Sequence, residues 1–384
     1  MSLINTSKLI IVPKNSDQSK TNLGHEITEN DEDVNDFVMA IQLIQSSVLP
    51  IALHTALELN LIEIISQAGP TQKLSAQEIS AQIETNANGL NPNGPPMLDR
   101  LLGLLASYSI VSCNVRPTEN GGHEREYGLG KLSKFFLPDH NGCNLAPLLG
   151  LFLDPVVQAS WTKLKDSIQE GGVSFNKVHG VNAWEYPSID ERFNKVFNKA
   201  MSNYPTFLVQ KILQNYKGFE GVLHLVDVGG GLGQTLGAIT SMYPTILGTN
   251  FDLPHVISNA PTYPGVKHVS GDMLEGVPNG DAILMKWVLQ VWSDEHCSKV
   301  LKNCYNALPQ SGKLIVIESI VTKEPETSVV AKTVSQLDVY MMTKNPGGKE
   351  RTLDEFLALA FSAGFAGIDV KCQVGHFWVM EFYK

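Results

Sequence analysis

From Phe37 the chain settles into a helical rhythm. Phe37, Ile41, Ile44, Val48, Ile51, Ala52, Leu57, Leu61 and Ile65 recur at that spacing, with Pro50 as a break or kink. The helix pair this predicts is apolar on more than one face, so it is either well buried or packed on a second subunit. Ser75 followed three residues later by Glu78 is a capping box that opens a helix to Ile83. A Pro/Asn/Gly-rich loop from Thr85 to Pro96 leads to an apolar helix, Met97 to Tyr108. Two strand-like pieces follow, around Val111 and Tyr127, turning at Asn120-Gly121-Gly122. Helix, loop, helix, hairpin is the plan of a winged helix. Its candidate recognition helix, Leu98 to Leu105, carries one arginine, Arg100, in a mostly apolar run. A helix that reads base edges needs polar side chains there, so a buried dimerisation module is the expected use.

Beyond this module the segment from Leu145 to Tyr216 predicts helices dense in aromatic residues, among them Phe152, Trp161, Phe175, Phe193, Phe197 and Tyr204. These rings make either a helical core or a wall for an aromatic ligand. Then the period changes to strands. Leu223 to Val228 is a short β-branched run that stops at Gly229-Gly230-Gly231-Leu232-Gly233, and Thr235 to Met242 reads as a helix. Strand, glycine turn, helix begins a βαβ unit, which binds nucleotide-like ligands at the carboxyl ends of its strands.

The alternation continues. Strand Ile246 to Phe251 ends at Asp252, and a helix starts from His255. Strand Val266 to Ser270 ends at Gly271-Asp272-Met273. Strand Ala282 to Trp287 precedes a helix from Asp294 to Leu308, capped by Ser293, with Cys297, Val300, Leu301, Cys304 and Leu308 on one face. Strand Lys313 to Glu318 and helices Val329 to Met342 and Leu353 to Ala363 follow. The last strands, Gly367 to Cys372 and His376 to Phe382, lie too close for a helical crossover and must form an antiparallel hairpin. The expected class is α/β, a Rossmann-like sheet with an antiparallel C-terminal hairpin. The expected division is a disordered tail at 1–32, polar and without period, a winged-helix-like module at 33–140 and the α/β domain at 141–384.

Charge and composition narrow the function. The chain of 384 residues carries a net charge of −10 with no block of like charges, which argues against nucleic acid. No apolar run approaches the ~18 residues of a membrane helix. The run Leu9 to Val12 is too short for a signal sequence and ends at Pro13. The cysteines, Cys113, Cys143, Cys297, Cys304 and Cys372, are odd in number and lack CxxC spacing, so a reduced, cytoplasmic protein is expected. No cluster of His, Cys, Asp and Glu has the spacing of a metal site.

Acids close three successive strands: Asp227, Asp252 and Asp272. Asp252 lies nineteen residues after Gly233, where it can accept from ribose hydroxyls, and Met273 can pack on an adenine. With these residues the sequence resembles the plant caffeic-acid-type O-methyltransferases. The motifs are Leu225-Val226-Asp227-Val228-Gly229-Gly230-Gly231-Leu232-Gly233, Asn250-Phe251-Asp252-Leu253-Pro254, Gly271-Asp272-Met273, Lys286-Trp287, Trp292-Ser293-Asp294 and Asn345-Pro346-Gly347-Gly348-Lys349-Glu350-Arg351-Thr352. The resemblance runs from about Phe37 to the C-terminus. It implies a class I methyltransferase fold, S-adenosylmethionine as methyl donor, a homodimer, a small phenolic acceptor of specialised metabolism, and no metal. By the same match Asp227, Gly229, Gly231, Asp252, Leu253, Asp272, Met273 and Lys286 hold the donor. Phe193, Phe197, Met201, Tyr204, Tyr340, Met341 and Asn345 line the acceptor pocket.

One departure bears on mechanism. The family reads Lys-Trp-x-x-x-His-Asp-Trp-Ser-Asp, with the histidine as general base. Here Gln290 holds the histidine position and Val291 that of the aspartate, although Glu318 and Glu350, the acids that flank the base, remain. An amide cannot accept a proton near neutral pH. A phenol of pKa ~10 is only ~0.1% ionised at pH 7, and a general base contributes ~10²–10⁴-fold. A second change is Asn203-Tyr204, where relatives have Asp-His. Three resolutions follow. Another group, such as Glu318, is the base; the nucleophile is an amine or an acidified phenol that needs none; or the chain binds the donor without transferring methyl.

Overall fold

The computed structural model describes residues 32–84, 91–118, 121–139 and 142–384. Of the expected tail, 1–31 lie outside the described residues, as do the loop centre at 85–90 and Asn120; Glu32 already opens a helix. The chain divides into two compact units, 1–48 and 49–384.

The described part of the first unit is the helix Glu32–Ile44 and the turn after it. None of that helix's residues is buried, and Phe37, Val38, Met39, Leu43 and Ile44 are exposed. The helical rhythm is interrupted at 45–47, not at Pro50 as expected. Pro50 falls in the first turn of the next helix, Val48–Glu58, where a missing N–H leaves no intrahelical bond unmade. Among the described residues no single helix is long and apolar enough to cross a membrane; Glu32–Ile44 and Val48–Glu58 reach that length only when joined across their break.

The second unit begins with the winged-helix plan. Helices Leu61–Gln67, Ala76–Ser80 and Gly94–Ser107 pack on strands β1 (Leu74–Ser75), β2 (Val111–Pro117) and β3 (His123–Leu129), ordered β1-β3-β2. Ser75 and Glu78 form the expected capping box: Ser75 N donates to Glu78 Oε2 at 2.7 Å, and Glu78 N donates to Ser75 Oγ at 3.3 Å. The core is Leu53, Ala56, Ile62, Ile65, Ile79, Leu102, Leu105 and Tyr127. Tyr127 donates to Asp99 Oδ1 at 2.6 Å, which spends a polar group of the would-be recognition helix on the hairpin.

Helices between Ala146 and Asn215 form a connecting layer around Leu151, Val157, Phe175, Phe193 and Ala200. The main sheet has seven strands: β4 (His224–Val228), β5 (Leu247–Asp252), β6 (Val266–Ser270), β7 (Ala282–Lys286), β8 (Lys313–Ser319), β9 (Gly367–Val374) and β10 (Phe377–Tyr383). Their order is β6-β5-β4-β7-β8-β10-β9. The first five pair in parallel; β10 runs antiparallel between β8 and β9, as the short connection required. Val226, Val228, Ile283, Met285, Leu314 and Val316 bury one face against helices Asp294–Ala307 and Leu353–Ala363. Leu225, Leu284, Ile315, Ile317 and Val379 bury the other against Pro205–Asn215 and Gln234–Met242. Cys297 and Cys304 are core residues of the first face, as their spacing predicted. The order reverses between β4 and β7, and that switch point opens a crevice at the carboxyl ends of the strands. Two boundaries differ from expectation. The helix expected from His255 is one turn, Pro254–Ile257, and β7 ends at Lys286 because Trp287 turns to φ 60°.

Candidate active site

The glycine turn after β4 is built in two ways. Gly229 and Gly231 have φ of 69° and 60°, a region that L side chains rarely adopt. At Gly229 and Gly230 the missing Cβ is a packing requirement. A Cβ would come within 2.8 Å of Val288 at Gly229 and 2.1 Å of Asn250 Oδ1 at Gly230. At Gly231 nothing lies within 4 Å, so the backbone there faces open space that a Cβ would enter. Asp252, at the end of β5, fixes this loop: its Oδ2 accepts from Gly231 N at 2.8 Å and its Oδ1 from Leu253 N at 2.7 Å. Each oxygen keeps a second acceptor site for a hydroxyl. Asn250 donates to Gly231 O at 2.9 Å and lies 3.1 Å from His268 Nδ1. Asp272 is exposed just past β6, with Oδ1 accepting from Leu274 N at 2.8 Å, and Met273 packs on the main core.

At the switch point stand Asp227 on β4 and Lys286 at the end of β7. Burial pushes the Asp227 carboxyl up to about 7 against the pull of Lys286, and its Oδ2 is buried without a partner. Burial draws the Lys286 ammonium down to about 8, opposed by Asp227 and then by Glu318. Lys286 lies 3.7 Å over the Trp287 ring.

Next along the crevice is a 3-10 turn, Leu289–Val291, that carries Gln290. Its start is held by Glu318, fully buried on β8, whose Oε1 accepts from Leu289 N at 2.8 Å. Its other side is held by Arg351, fully buried, which donates to Leu289 O at 2.6 Å, Trp292 O at 2.8 Å and Asp294 Oδ1 at 2.7 Å. Lys349 N donates to Gln290 O at 2.9 Å, so the stretch holding Glu350 is laced to the turn holding Gln290. Glu350 is 4% exposed, and neither carboxyl oxygen has a hydrogen-bond partner; Glu318 Oε2 has none either. Burial raises both acids. Glu318 reaches about 7, eased by the Leu289 amide, and Glu350 about 9, with Glu318 and Asp338 adding to the rise.

The aromatic wall divides in the same region. Tyr204 stacks on Trp287 with centroids 4.8 Å apart, and its hydroxyl lies 3.0 Å from His376 Nε2 at the hairpin tip. Burial, then the Glu350 charge, lifts the Tyr204 phenol well above its usual value, and burial draws His376 down to about 4. Phe193, Phe197, Met201 and Tyr340 share one cluster in the connecting layer. Asn345 is 5% exposed, with Oδ1 unpartnered, and its N–H donates to Met341 O at 3.3 Å.

The sequence reading passed over several residues that the fold brings here. Arg351 stands in sequence as one more charge in the run Lys349-Glu350-Arg351, and only the fold buries it. His376, the first residue of the last expected strand, meets Tyr204. Lys344, beside Asn345, is 3% exposed; it donates to Ser160 Oγ at 2.8 Å and faces the rings of Tyr340, Phe175 and Trp161. His296 lies in the first turn of the helix Asp294–Ala307, with Nδ1 2.8 Å from Ser293 Oγ. Among the described residues no group of His, Cys, Asp and Glu is placed to hold a metal ion.

Comparison with known proteins agrees with this geometry. Residues 161–366 match the O-methyltransferase domain, and 41–139 match the O-methyltransferase dimerisation domain. The chain is 52% identical to O-methyltransferase 16 of Lophophora williamsii over 92% of its length and 94% of that protein. It is 51% identical to catechol O-methyltransferase 1 of Solanum lycopersicum, over 93% and 97% of the two chains. With caffeic acid 3-O-methyltransferase 1 of Populus kitakamiensis it shares 52%, over 90% and 94%. Among solved structures, human N-acetylserotonin methyltransferase in complex with S-adenosylmethionine superposes with a TM-score of 0.76 at 20% identity, covering 93% of this chain and 99% of that one. A methyltransferase of calicheamicin biosynthesis with bound S-adenosylhomocysteine gives 0.75 at 19% identity, over 92% and 99%. The glycine elbow, the strand-end carboxylates and half-identity over nine-tenths of the sequence make this chain a member of the plant O-methyltransferase family, a class I enzyme that uses S-adenosylmethionine.

Proposed function

We propose that the enzyme methylates a ring hydroxyl of a small phenolic acceptor in specialised metabolism, the class for which its catechol and caffeic acid relatives are named. The observation that carries this is the crevice with two unlike ends. At one end Gly231 faces open space beside Asp252. At the other, buried carboxyl oxygens and stacked rings meet. S-adenosylmethionine would supply a methyl carbon on a sulfonium, open to in-line attack by an acceptor oxygen as the C–S bond breaks and the sulfide leaves with the electron pair. Gly229 and Gly231 would lie along the donor, Asp252 and Leu253 at its ribose, Asp272 and Met273 at its adenine, and Asp227 with Lys286 at its far end. Phe193, Phe197, Met201, Tyr204, Tyr340, Met341 and Asn345 would enclose the acceptor ring beside Gln290.

The dimerisation-domain match at 41–139 and the exposed apolar residues of Glu32–Ile44 support a homodimer built on residues 33–140, with catalysis in 141–384. The free cysteines support a reducing compartment, the cytoplasm.

The test is a screen of catechols, simple phenols and arylamines with labelled donor, scored for the atom that gains the methyl. Label on oxygen of a catechol is expected. Label on nitrogen alone would replace this reading with N-methylation, which the loss of the histidine at Gln290 would permit. No label on any acceptor, with donor bound, would point to a repurposed protein.

A further inference from the structure

Glu350 lies within the electrostatic field of Glu318, and the elements that carry both are tied to the turn whose Gln290 holds the family's histidine position. Both are buried, at 0% and 4% exposure, and three of their four carboxyl oxygens have no hydrogen-bond partner. They belong to different elements, β8 and the loop before the helix Leu353–Ala363. Each element is fixed to the turn that carries Gln290, through Leu289 N and through Gln290 O. Gln290 itself makes no side-chain hydrogen bond among the described residues, and its amide has no proton affinity to offer. Two carboxyl groups repelling one another in a dry site do not both ionise, and a shared charge is the usual result.

We propose that Glu318 and Glu350 together take the proton from the acceptor hydroxyl, and that the best acceptors are phenols acidified by a conjugated electron-withdrawing group. This rests on the reading of the chain as an O-methyltransferase of phenols. The balance is simple. The acceptor O–H breaks, its proton goes to a carboxylate oxygen of the pair, and the oxygen forms a bond to the methyl carbon. The C–S bond of the donor breaks with its electrons on sulfur, and the proton later leaves the pair for water. The acceptor preference follows from base strength, because a carboxylate is a match for an acidic phenol and a weak partner for an ordinary one.

The charges around the pair set its titration. Arg351 and Lys286 favour the ionised form, while Asp338 and the partner carboxylate oppose it. The Tyr204 hydroxyl and the Cys297 thiol also lie within the field of the pair. Asp294 faces Arg351 and is neutralised by it. Burial is the largest influence on both groups and outweighs these charges, raising Glu318 to about 7 and Glu350 to about 9.

The experiment compares wild type with Glu350→Gln and Glu318→Gln on two acceptors, catechol and a nitrocatechol already ionised at pH 8. Titration calorimetry with S-adenosylhomocysteine checks each variant's donor site. The proposal expects both variants to bind the donor product as wild type does. It expects a loss in kcat of about 10²-fold on catechol and less than tenfold on the nitrocatechol. The rise of kcat/KM with pH on catechol should move to higher pH in the variants, toward the ionisation of the phenol itself. An equal loss on both acceptors would overturn the proposal in favour of a purely structural role, and no loss on catechol would overturn it outright. Failure of wild type to methylate either acceptor would instead remove the reading on which the proposal rests.

Discussion

The two ends of the crevice are finished to different degrees. At the donor end the loop is closed by its own hydrogen bonds: Asp252 to Gly231 and Leu253, and Asn250 to Gly231 O. Among the described residues there, Asp227 Oδ2 and Asn250 Oδ1 are buried and unpartnered. At the acceptor end Glu318 Oε2, both oxygens of Glu350, Asn345 Oδ1 and Trp287 Nε1 are all buried without partners. Each such group carries a desolvation penalty of ~1–3 kcal/mol that only a ligand or water relieves. On the proposed assignment, the difference is between a donor loop closed by its own hydrogen bonds and an acceptor end whose carboxyl groups burial raises.

The largest effect expected on this contrast comes from the finished end. Gly231→Val puts a β-branched residue at φ 60° and fills open space, so donor binding should fall below detection by calorimetry while the fold persists. Asp252→Ala removes two charge-assisted hydrogen bonds from the loop and should weaken donor binding by about 10²-fold. Near-normal affinity in both would show that the cradle is misassigned.

At the unfinished end the next largest effect is a gain. Gln290→His restores the family's base on the turn that Glu318 and the Glu350 loop hold, and should raise kcat/KM for catechol near pH 7 by about tenfold or more. A flat or lower rate would mean that proton removal does not limit the reaction. Stability should respond in the opposite sense to function. The folded-state pKa of Glu350 lies near 9, above the ordinary 4.5, so the folded chain holds more protons than the unfolded one across that interval. The neutral group's advantage is therefore lost as pH rises through the window. Glu350→Gln should melt about 2–4 °C above wild type at pH 8 and no higher near pH 4. A melting difference that does not change with pH would contradict this. The smallest effect is at Tyr204. Tyr204→Phe keeps the stack on Trp287 and loses the contact with His376, with a change in stability of about 1 kcal/mol and little change in kcat.

The sequence carried the sheet further than it carried the site. Short apolar runs closing at Asp227-Val228, Asp252 and Lys286-Trp287 marked the strands and their carboxyl ends, because an apolar run and the polar or glycine residues that end it are both local. The spacing of β9 and β10 even required the antiparallel hairpin. The helix break was misplaced at Pro50 because proline in a first turn looks the same in sequence as proline in the middle. The acceptor end was legible only as separate motifs. Glu318 and Glu350 are 32 positions apart by their numbers, and Tyr204 and His376 meet across 172 residues. Nothing local announces such contacts. Arg351 was hidden for the same reason: its partners are the carbonyls of Leu289 and Trp292, which any residue offers.

The most direct measurement of the central claim is a calorimetric titration of S-adenosylhomocysteine into the purified chain with no acceptor present. A preformed donor end predicts saturable binding at one molecule per chain, abolished in Gly231→Val and unchanged in Glu350→Gln. Absence of binding heat in the wild type, or equal loss in the Glu350 variant, would contradict the division of the crevice into a finished and an unfinished end.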